Sequence, residues 1–398
     1  MKAVICGAGI AGLSLAWWLE REGWEVTIAE HAPGLHGAGY MIDFYGSGYD
    51  AAERMGLLPA VTAAAYRVSG VVYRSPDGTA TSTLDYGAFR RMNRDRVASL
   101  LRGDLEQLVF EALGEGVDIR FGTSVASVTT SASEVEVGLT DGSVERADVL
   151  VGADGIHSRV RELTFGPQQR FLRPLGYHTA AYIATDPKLW QRVGEAFQMV
   201  EAPGLQAGCY RVSENRVAAF FAHRARAGMP ADPRAELRRR YGGLGWVIPR
   251  LLEHCPEGPP ELYYDLMAQI EMPTWSQNRV VLLGDACYAV SLLAGQGASM
   301  AMGGAYVLAD ELGRAGDVPS ALAAYETRLR PAIAKKQRAG RRTAEWFVPA
   351  TSGRLLMRRT LLRLASSRAL EGMLRPVLST PGGSVVTDRA SSATTGET

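Results

Sequence analysis

A chain that opens MKAVICGAGIAGLSLAWWLEREGWEVTIAE has few folds open to it. Val4, Ile5 and Cys6 form an apolar run of the kind that makes a buried parallel strand. Gly7, Gly9 and Gly12 follow in G-x-G-x-x-G spacing, with Ile10 and Ala11 between the last two. An apolar-periodic helix is predicted from Leu13 to about Arg21, and a second strand, Glu25 to Ala29, ends on Glu30. Gly7 permits the tight strand-to-helix turn, Gly9 lets the backbone approach a pyrophosphate, and Gly12 lets the helix pack closely on the sheet. The helix N-terminus offers free N–H groups to phosphate charge. Glu30, eighteen residues after Gly12, stands where a carboxylate can accept from a ribose 2′-OH. This unit predicts a dinucleotide site.

Two later strand ends repeat the theme. Ala147 to Val151 is a buried-strand pattern running into Gly152-Ala153-Asp154-Gly155, and Arg279 to Leu283 is another ending in Gly284-Asp285. Each places a carboxylate at the carboxyl end of a parallel strand, where α/β sheets bind ligands. Asp285 follows a buried strand and needs a partner there. Leu292 to Gly297 includes Gly295, Gln296 and Gly297 and leads into a helix predicted from Ala298 to about Leu312.

Between these strand ends the pattern changes. Residues 71–85 read as a hairpin turning on Pro76-Asp77-Gly78, and the apolar positions Val97, Leu100, Leu101, Leu105 and Leu108 predict a helix over roughly Arg94 to Leu113. From about 166 to 272, alternating segments such as Thr179 to Ala184 and Arg216 to His223 predict a mixed sheet, with a helical stretch from Pro233 to Cys255. A long helix is predicted over Pro319 to Trp346 and a basic amphipathic helix over 354–376. The latter reads as a helix docked on the body with a solvated arginine face.

The expected architecture is α/β: a Rossmann-like, three-layer domain on a parallel sheet (1–70, 86–165 and 273–330), interleaved with a mixed β-sheet substrate domain (71–85 and 166–272). C-terminal helices (331–380) and a disordered tail (381–398) complete it. A net charge of +1 leaves no global positive field for nucleic acid. The four cysteines, Cys6, Cys209, Cys255 and Cys287, form no C-x-x-C pair, which fits a reducing compartment. The first strand starts at the N-terminus and no apolar run is long enough to cross a membrane. A cytoplasmic protein without an integral membrane segment is expected, as monomer or homodimer.

The three strand-end motifs together resemble those of the FAD-dependent monooxygenases of the para-hydroxybenzoate hydroxylase type, the group A flavoprotein hydroxylases. The N-terminal match runs through Gly7, Gly9, Gly12, Ala16, Leu19, Gly23, Val26 and Glu30. GADGIHSRVR at 152–161 is similar to the family's G-A-D-G-x-x-S-x-V-R, and GDACYAVSLLAGQGAS at 284–299 matches its third motif in part. The resemblance implies FAD as cofactor and NADPH or NADH as co-substrate. It further implies insertion of one atom of dioxygen into an electron-rich aromatic or polycyclic molecule through a flavin C4a-hydroperoxide. Tetracycline-modifying oxygenases are among the similar members.

Carried over residue by residue, the resemblance makes Glu30 the ribose acid and Arg94 the flavin-contacting arginine. Asp154, with Gly155, becomes the acid serving flavin and nicotinamide, and Asp285, after Gly284, the ribityl acid. Gly295, Gln296 and Gly297 then present a helix N-terminus to the reduced ring. No catalytic side chain and no metal ligand is implied. The chain departs from the pattern at Tyr288, Ser291, Leu292 and Ser299, positions expected along the flavin edge. Met41, Phe44 and Tyr45 from a glycine-rich loop, with Tyr182, Phe220 and Phe221 from the sheet, are the candidate substrate-pocket residues; core packing is the alternative for each aromatic. A Baeyer–Villiger-type oxygenase, a reductase, or a non-catalytic FAD or small-molecule binding protein on the same fold stays open.

Overall fold

The computed structural model describes residues 1–35, 40–225, 228–290, 296–365 and 384–387. The opening segment forms the strand Lys2–Cys6, the helix Ile10–Arg21 and the strand Glu25–Glu30. These start a six-stranded sheet in the spatial order Ser276–Gln277, Val280–Leu282, Val149–Gly152, Lys2–Cys6, Glu25–Glu30, Val117–Phe121. Lys2–Cys6 lies at its centre, parallel to both neighbours, with Cys6 opposite Gly152 on one side and Ala29 on the other. Helices cover this sheet, so its central strands are apolar on both faces: Ala3, Val4, Ile5, Val149, Leu150 and Val151 are fully buried.

A second sheet has seven strands: Tyr263–Ile270, Leu172–Thr185, Arg216–Arg224, Leu205–Ser213, Phe197–Ala202, Gly70–Arg74 and Ala80–Asp85. All its pairs are antiparallel except Phe197–Ala202 with Gly70–Arg74, which brings the hairpin of residues 70–85 into a sheet otherwise drawn from 172–270. One face packs on the helices Pro233–Tyr241 and Ile248–Glu253. The other faces the two-stranded ribbon Met41–Tyr45 with Val97–Leu101 and the end of the long helix Val318–Phe347. No helix among the described residues is long and apolar enough to cross a membrane.

Three expectations are corrected. Arg94 to Leu113 is not one helix: Val97–Leu101 is a strand and the helix starts at Arg102, running to Glu111. The stretch Pro233 to Cys255 breaks into two helices across Gly242 and Gly243, where Trp246 takes φ 60°. Within the tail, Val385 and Val386 are buried in the main core, and the Val385 N–H donates to Ser47 Oγ at 3.2 Å. Two valines in a Ser- and Gly-rich stretch are enough apolar surface to dock it. The basic helix is described over Ser352–Ala365; Arg368 and Arg375 lie outside the described residues.

The helix-covered face of the seven-stranded sheet carries a buried polar chain. His178 Nδ1 is 3.1 Å from the Tyr264 hydroxyl, which lies 3.3 Å from His223 Nε2, and His223 Nδ1 is 3.1 Å from the Tyr241 hydroxyl. Burial pushes the His223 imidazolium down to about 3, with Arg240 and His178 adding repulsion, and burial lowers His178 as well. The unfolded chain takes up the His223 proton near pH 6.5, whereas the folded one does so only near 3. Stability is therefore complete above about 6.5 and falls as pH drops towards 3, at up to about 1.4 kcal/mol per pH unit for this one group. Thermal melts between pH 7 and 4 should show the fall, and His223→Gln should flatten it. An unchanged slope in the variant would take His223 out of the account.

Candidate functional site

The three strand ends converge. Lys2–Cys6, Val149–Gly152 and Val280–Leu282 are adjacent and parallel, so the turns that follow them emerge side by side. Gly7 has φ 107°, and a Cβ there would lie 2.6 Å from the Ala153 carbonyl oxygen, so the first two turns touch through a residue that must be glycine. Arg161, fully buried, spans the other two. Its Nη1 donates to the Ala286 carbonyl at 2.7 Å and its Nη2 to the Ile156 carbonyl at 2.7 Å.

Two cavities meet along this edge. The first, of about 240 Å³, is lined by Gly7, Gly9, Glu30, Asp154, Gly155 and, from outside the expected set, Arg102. Glu30 closes it: its two carboxylate oxygens accept the backbone N–H groups of Ala8 at 2.7 Å and Ala32 at 2.8 Å. A Cβ on Gly9 would meet Arg102 Nη2 at 3.5 Å and Glu106 Oε2 at 3.9 Å and nothing nearer, so Gly9 presents bare backbone to the cavity. Gly12 and its neighbours Ile10 and Ala11 lie behind, buried between helix and sheet. Asp154 is engaged by its own turn, accepting from Ser158 Oγ at 2.5 Å and from the N–H groups of Arg159 at 2.6 Å and Val160 at 3.0 Å. Burial raises its carboxyl, and those donors pull the other way.

The second cavity, of about 110 Å³, is lined by Arg102, Asp285, Gly297, Ala298, Tyr40, Tyr263, Asp265, Thr179 and Met267, among others. It lies where the strand-end turns face the seven-stranded sheet. Arg102 belongs to both cavities, and its Nη1 is held 2.9 Å from Glu106 Oε2. Asp285 opens the short helix Asp285–Tyr288 after Gly284, which has φ 67°. It is open to the cavity yet ringed by protein, and that burial raises its carboxyl against the opposing pull of Arg102. Among the described residues it accepts no hydrogen bond. Gly297 and Ala298 begin the helix Gly297–Arg314, so a helix N-terminus faces the same space. Gly295 lies outside the described residues, as do Ser291 and Leu292.

Several expected site residues are elsewhere. Arg94 sits exposed at φ 56° on the turn after the helix Tyr86–Met92 and lines neither cavity. The arginine that reaches the cleft is Arg102, which stands, like the strand-end motif residues, at the junction of a buried strand and a helix. Phe44 is buried in the main core, and Tyr45 packs edge-on against Phe89. Tyr182 and Phe221 stack together on the helix-covered face, where the Tyr182 hydroxyl donates to the Leu251 carbonyl at 2.6 Å. Alternation along each strand puts Phe220 on the opposite face, against Phe347. Met41 is half-buried beside the cleft wall, its N–H donating to the Tyr210 hydroxyl. Tyr288 and Ser299 do not edge the cleft: Tyr288 fills the core between Trp275 and Tyr325, and Ser299 is buried with its hydroxyl accepting from the Tyr45 N–H.

Residues 1–171 match the FAD binding domain family. The chain is 36% identical over 330 residues to an uncharacterized protein of Mycobacterium tuberculosis, covering 79% of this chain and 85% of the relative. It is 31% identical to a flavin-dependent monooxygenase, eupH, of Phoma sp, covering 78% and 77%. Among solved structures, tetracycline destructase Tet(51) superposes with a TM-score of 0.78 at 27% identity, over 96% of this chain and 98% of that one. Klebsiella pneumoniae HpxO, complexed with FAD and uric acid, gives 0.78 at 25% identity over 96% and 97%. Identity of this order along most of both chains, with converging strand-end turns and a two-part cleft, fixes the assignment: the chain is an enzyme of the flavin-dependent monooxygenase family.

Proposed function

We propose that this protein binds FAD stretched across both cavities and, at the expense of NADPH or NADH, directs one oxygen atom of dioxygen into an aromatic or polycyclic small molecule. The observation that carries the reading is Arg102, a cation shared by both cavities, together with Asp285 in the second, a carboxylate without a hydrogen-bond partner among the described residues. Water partners this carboxylate while the cleft is open, and a ligand that displaces that water has to bring hydroxyl donors in its place. A polyhydroxylated chain supplies them.

The residues present fit the cofactor. Glu30 would accept from the adenosine ribose in exchange for one of its backbone donors, and Gly7, Gly9 and the N-terminus of Ile10–Arg21 would meet the pyrophosphate beside Arg102. Asp285 would hold the ribityl hydroxyls, with Asp154 and Gly155 shaping the wall between the nucleotide and the nicotinamide approach. Gln296 and Gly297 would direct the N-terminus of Gly297–Arg314 at negative charge on the ring. When bound, FAD supplies the redox and oxygen chemistry, which no side chain can provide. Thr179, Met267, Tyr40 and Tyr263 enclose the space facing it, keep out water and orient a planar substrate. Relatives whose structures hold uric acid or 2-aminobenzoylacetate, together with the tetracycline destructases, support a small cyclic substrate.

The test is NADPH consumption under air by the purified yellow protein, with and without a panel of polycyclic phenols, and products read by mass spectrometry. Substrate-stimulated oxidation with a gain of one oxygen atom is expected; FAD retention without any NADPH consumption would refute the monooxygenase assignment for this site. Asp285→Ala should purify largely without flavin, and full flavin occupancy in that variant would remove Asp285 from the ribityl role.

A further inference from the structure

The long helix Val318–Phe347 grips the chain on both sides of the passage that leads into the cleft helix. On one side, Gln337 Nε2 donates to the carbonyls of Ala289 at 3.2 Å and Ile270 at 2.8 Å, while Gln269 Nε2 reaches the Val290 carbonyl at 2.9 Å. On the other, Lys336 Nζ donates to Gln296 Oε1 at 2.6 Å. Ala289, Val290 and Gly297 all line the cleft.

The Lys336 contact is chemically unusual. Lys336 is 8% exposed and Gln296 5%. An ammonium drawn out of water normally faces a carboxylate. Among the described residues Lys336 has only a neutral amide oxygen, and the other end of that amide, Gln296 Nε2, is buried without a partner. Burial, with Lys335 adding repulsion, pushes the ammonium down to about 8. Gln296 is also the N-cap of Gly297–Arg314, so the ammonium stands one amide away from a helix N-terminus that itself carries about half a positive charge. Two positive poles held together without a counter-charge among the described residues disfavour the empty protein. A negative group in the cleft relieves both.

We propose that Lys336 is a positioning residue for the flavin: through Gln296 it fixes the start of the cleft helix and contributes buried positive charge that favours reduced over oxidised FAD. The proposal rests on the flavoprotein assignment and deepens it. Hydride transfer from NADPH brings two electrons and one proton, so the bound flavin gains one negative charge. A fixed cation bonded to the N-cap of the cleft helix is favoured by that gain and adds to the helix's own positive end.

The experiment compares holoprotein carrying Lys336→Met with wild type by dye-equilibrated reduction, giving the two-electron midpoint potential, alongside the Kd for oxidised FAD and the melting temperature. Lys336→Met should lower the ratio of reduced to oxidised flavin affinity about tenfold, which is about 30 mV in a two-electron potential. Oxidised FAD should stay bound, and Lys336→Arg should recover most of the potential. If Lys336→Met does not fold, Lys336→Gln, neutral but able to bond Gln296, should show the same drop. A wild-type potential in either neutral variant, or an equal drop in Lys336→Arg, overturns the proposal whatever happens to the melting temperature. Wild-type protein that holds no FAD overturns the flavoprotein assignment instead, and the two failures are thus distinguishable.

Discussion

Gly12→Ala should purify without flavin and melt well below wild type. A Cβ at Gly12 would lie 2.0 Å from the Gly7 carbonyl oxygen and 3.2 Å from Ile5 Cγ2. Neither contact can be relieved by rotating a flexible side chain, because the first is backbone and the second is core. The helix Ile10–Arg21 has to lift from the central strand, carrying its phosphate-facing N–H groups with it. Overpacking of this kind costs about 1–3 kcal/mol or more in stability. A displaced anion site should weaken FAD by about a hundredfold, roughly 2.7 kcal/mol. Gly9→Ala is the informative contrast. Its Cβ meets nothing nearer than 3.5 Å, so the empty protein should melt as wild type does while FAD affinity still falls, since the methyl occupies the approach to the backbone. Equal melting points and equal FAD affinities in wild type and Gly12→Ala would contradict the packing argument.

Glu201→Ala should destabilise the protein by about 3–5 kcal/mol, the usual penalty for stranding one member of a buried ion pair. Glu201 sits on the strand Phe197–Ala202 and is 1% exposed. It accepts from Arg358 Nη2 and, at 2.6 Å, from Arg359 Nε, both on the helix Ser352–Ala365. Arg358 Nη1 also reaches the carbonyls of Trp346 at 3.0 Å and Phe347 at 2.6 Å, so the guanidinium is locked in place once the carboxylate is gone. The helix should then undock, and protease cleavage between 348 and 352 should rise. Replacing both residues, Glu201→Ala with Arg358→Met, should recover much of the loss, because the buried charge goes and the one left, Arg359, is 21% exposed and can turn to water. Wild-type denaturant stability in Glu201→Ala would show that the buried pair contributes nothing.

The strand-end turns were legible because their chemistry is local: glycine spacing, a following helix and an acid at a fixed distance all sit within one stretch of sequence. Arg102 was not. Val97, Leu100, Leu101, Leu105 and Leu108 satisfy one continuous helical face as well as they satisfy a strand that turns into a helix. The helical reading points to Arg94, while the actual junction puts Arg102 at the cleft. The substrate-side aromatics failed for a different reason. Both faces of the seven-stranded sheet are covered, so Phe220 and Phe221 look equally buried in sequence, and parity shows only that they part company, not which of them faces helices. Lys336 left no sequence signal, since a buried lysine on an amphipathic helix resembles any solvated one until its neighbours are known.

The arrangement of strands sets when the protein can first hold its cofactor during synthesis. Lys2–Cys6 leaves the ribosome well before its neighbour Val149–Gly152, and the strand beyond that, Val280–Leu282, follows later still. The chain beyond Asp285 is then tied down at Ala289 by Gln337 and at Gln296 by Lys336, further along the sequence. Domains that fold as units from the N-terminus can mature while translation continues. This one has to keep its central strand waiting, and flavin capture waits with it until the third strand-end turn has been made.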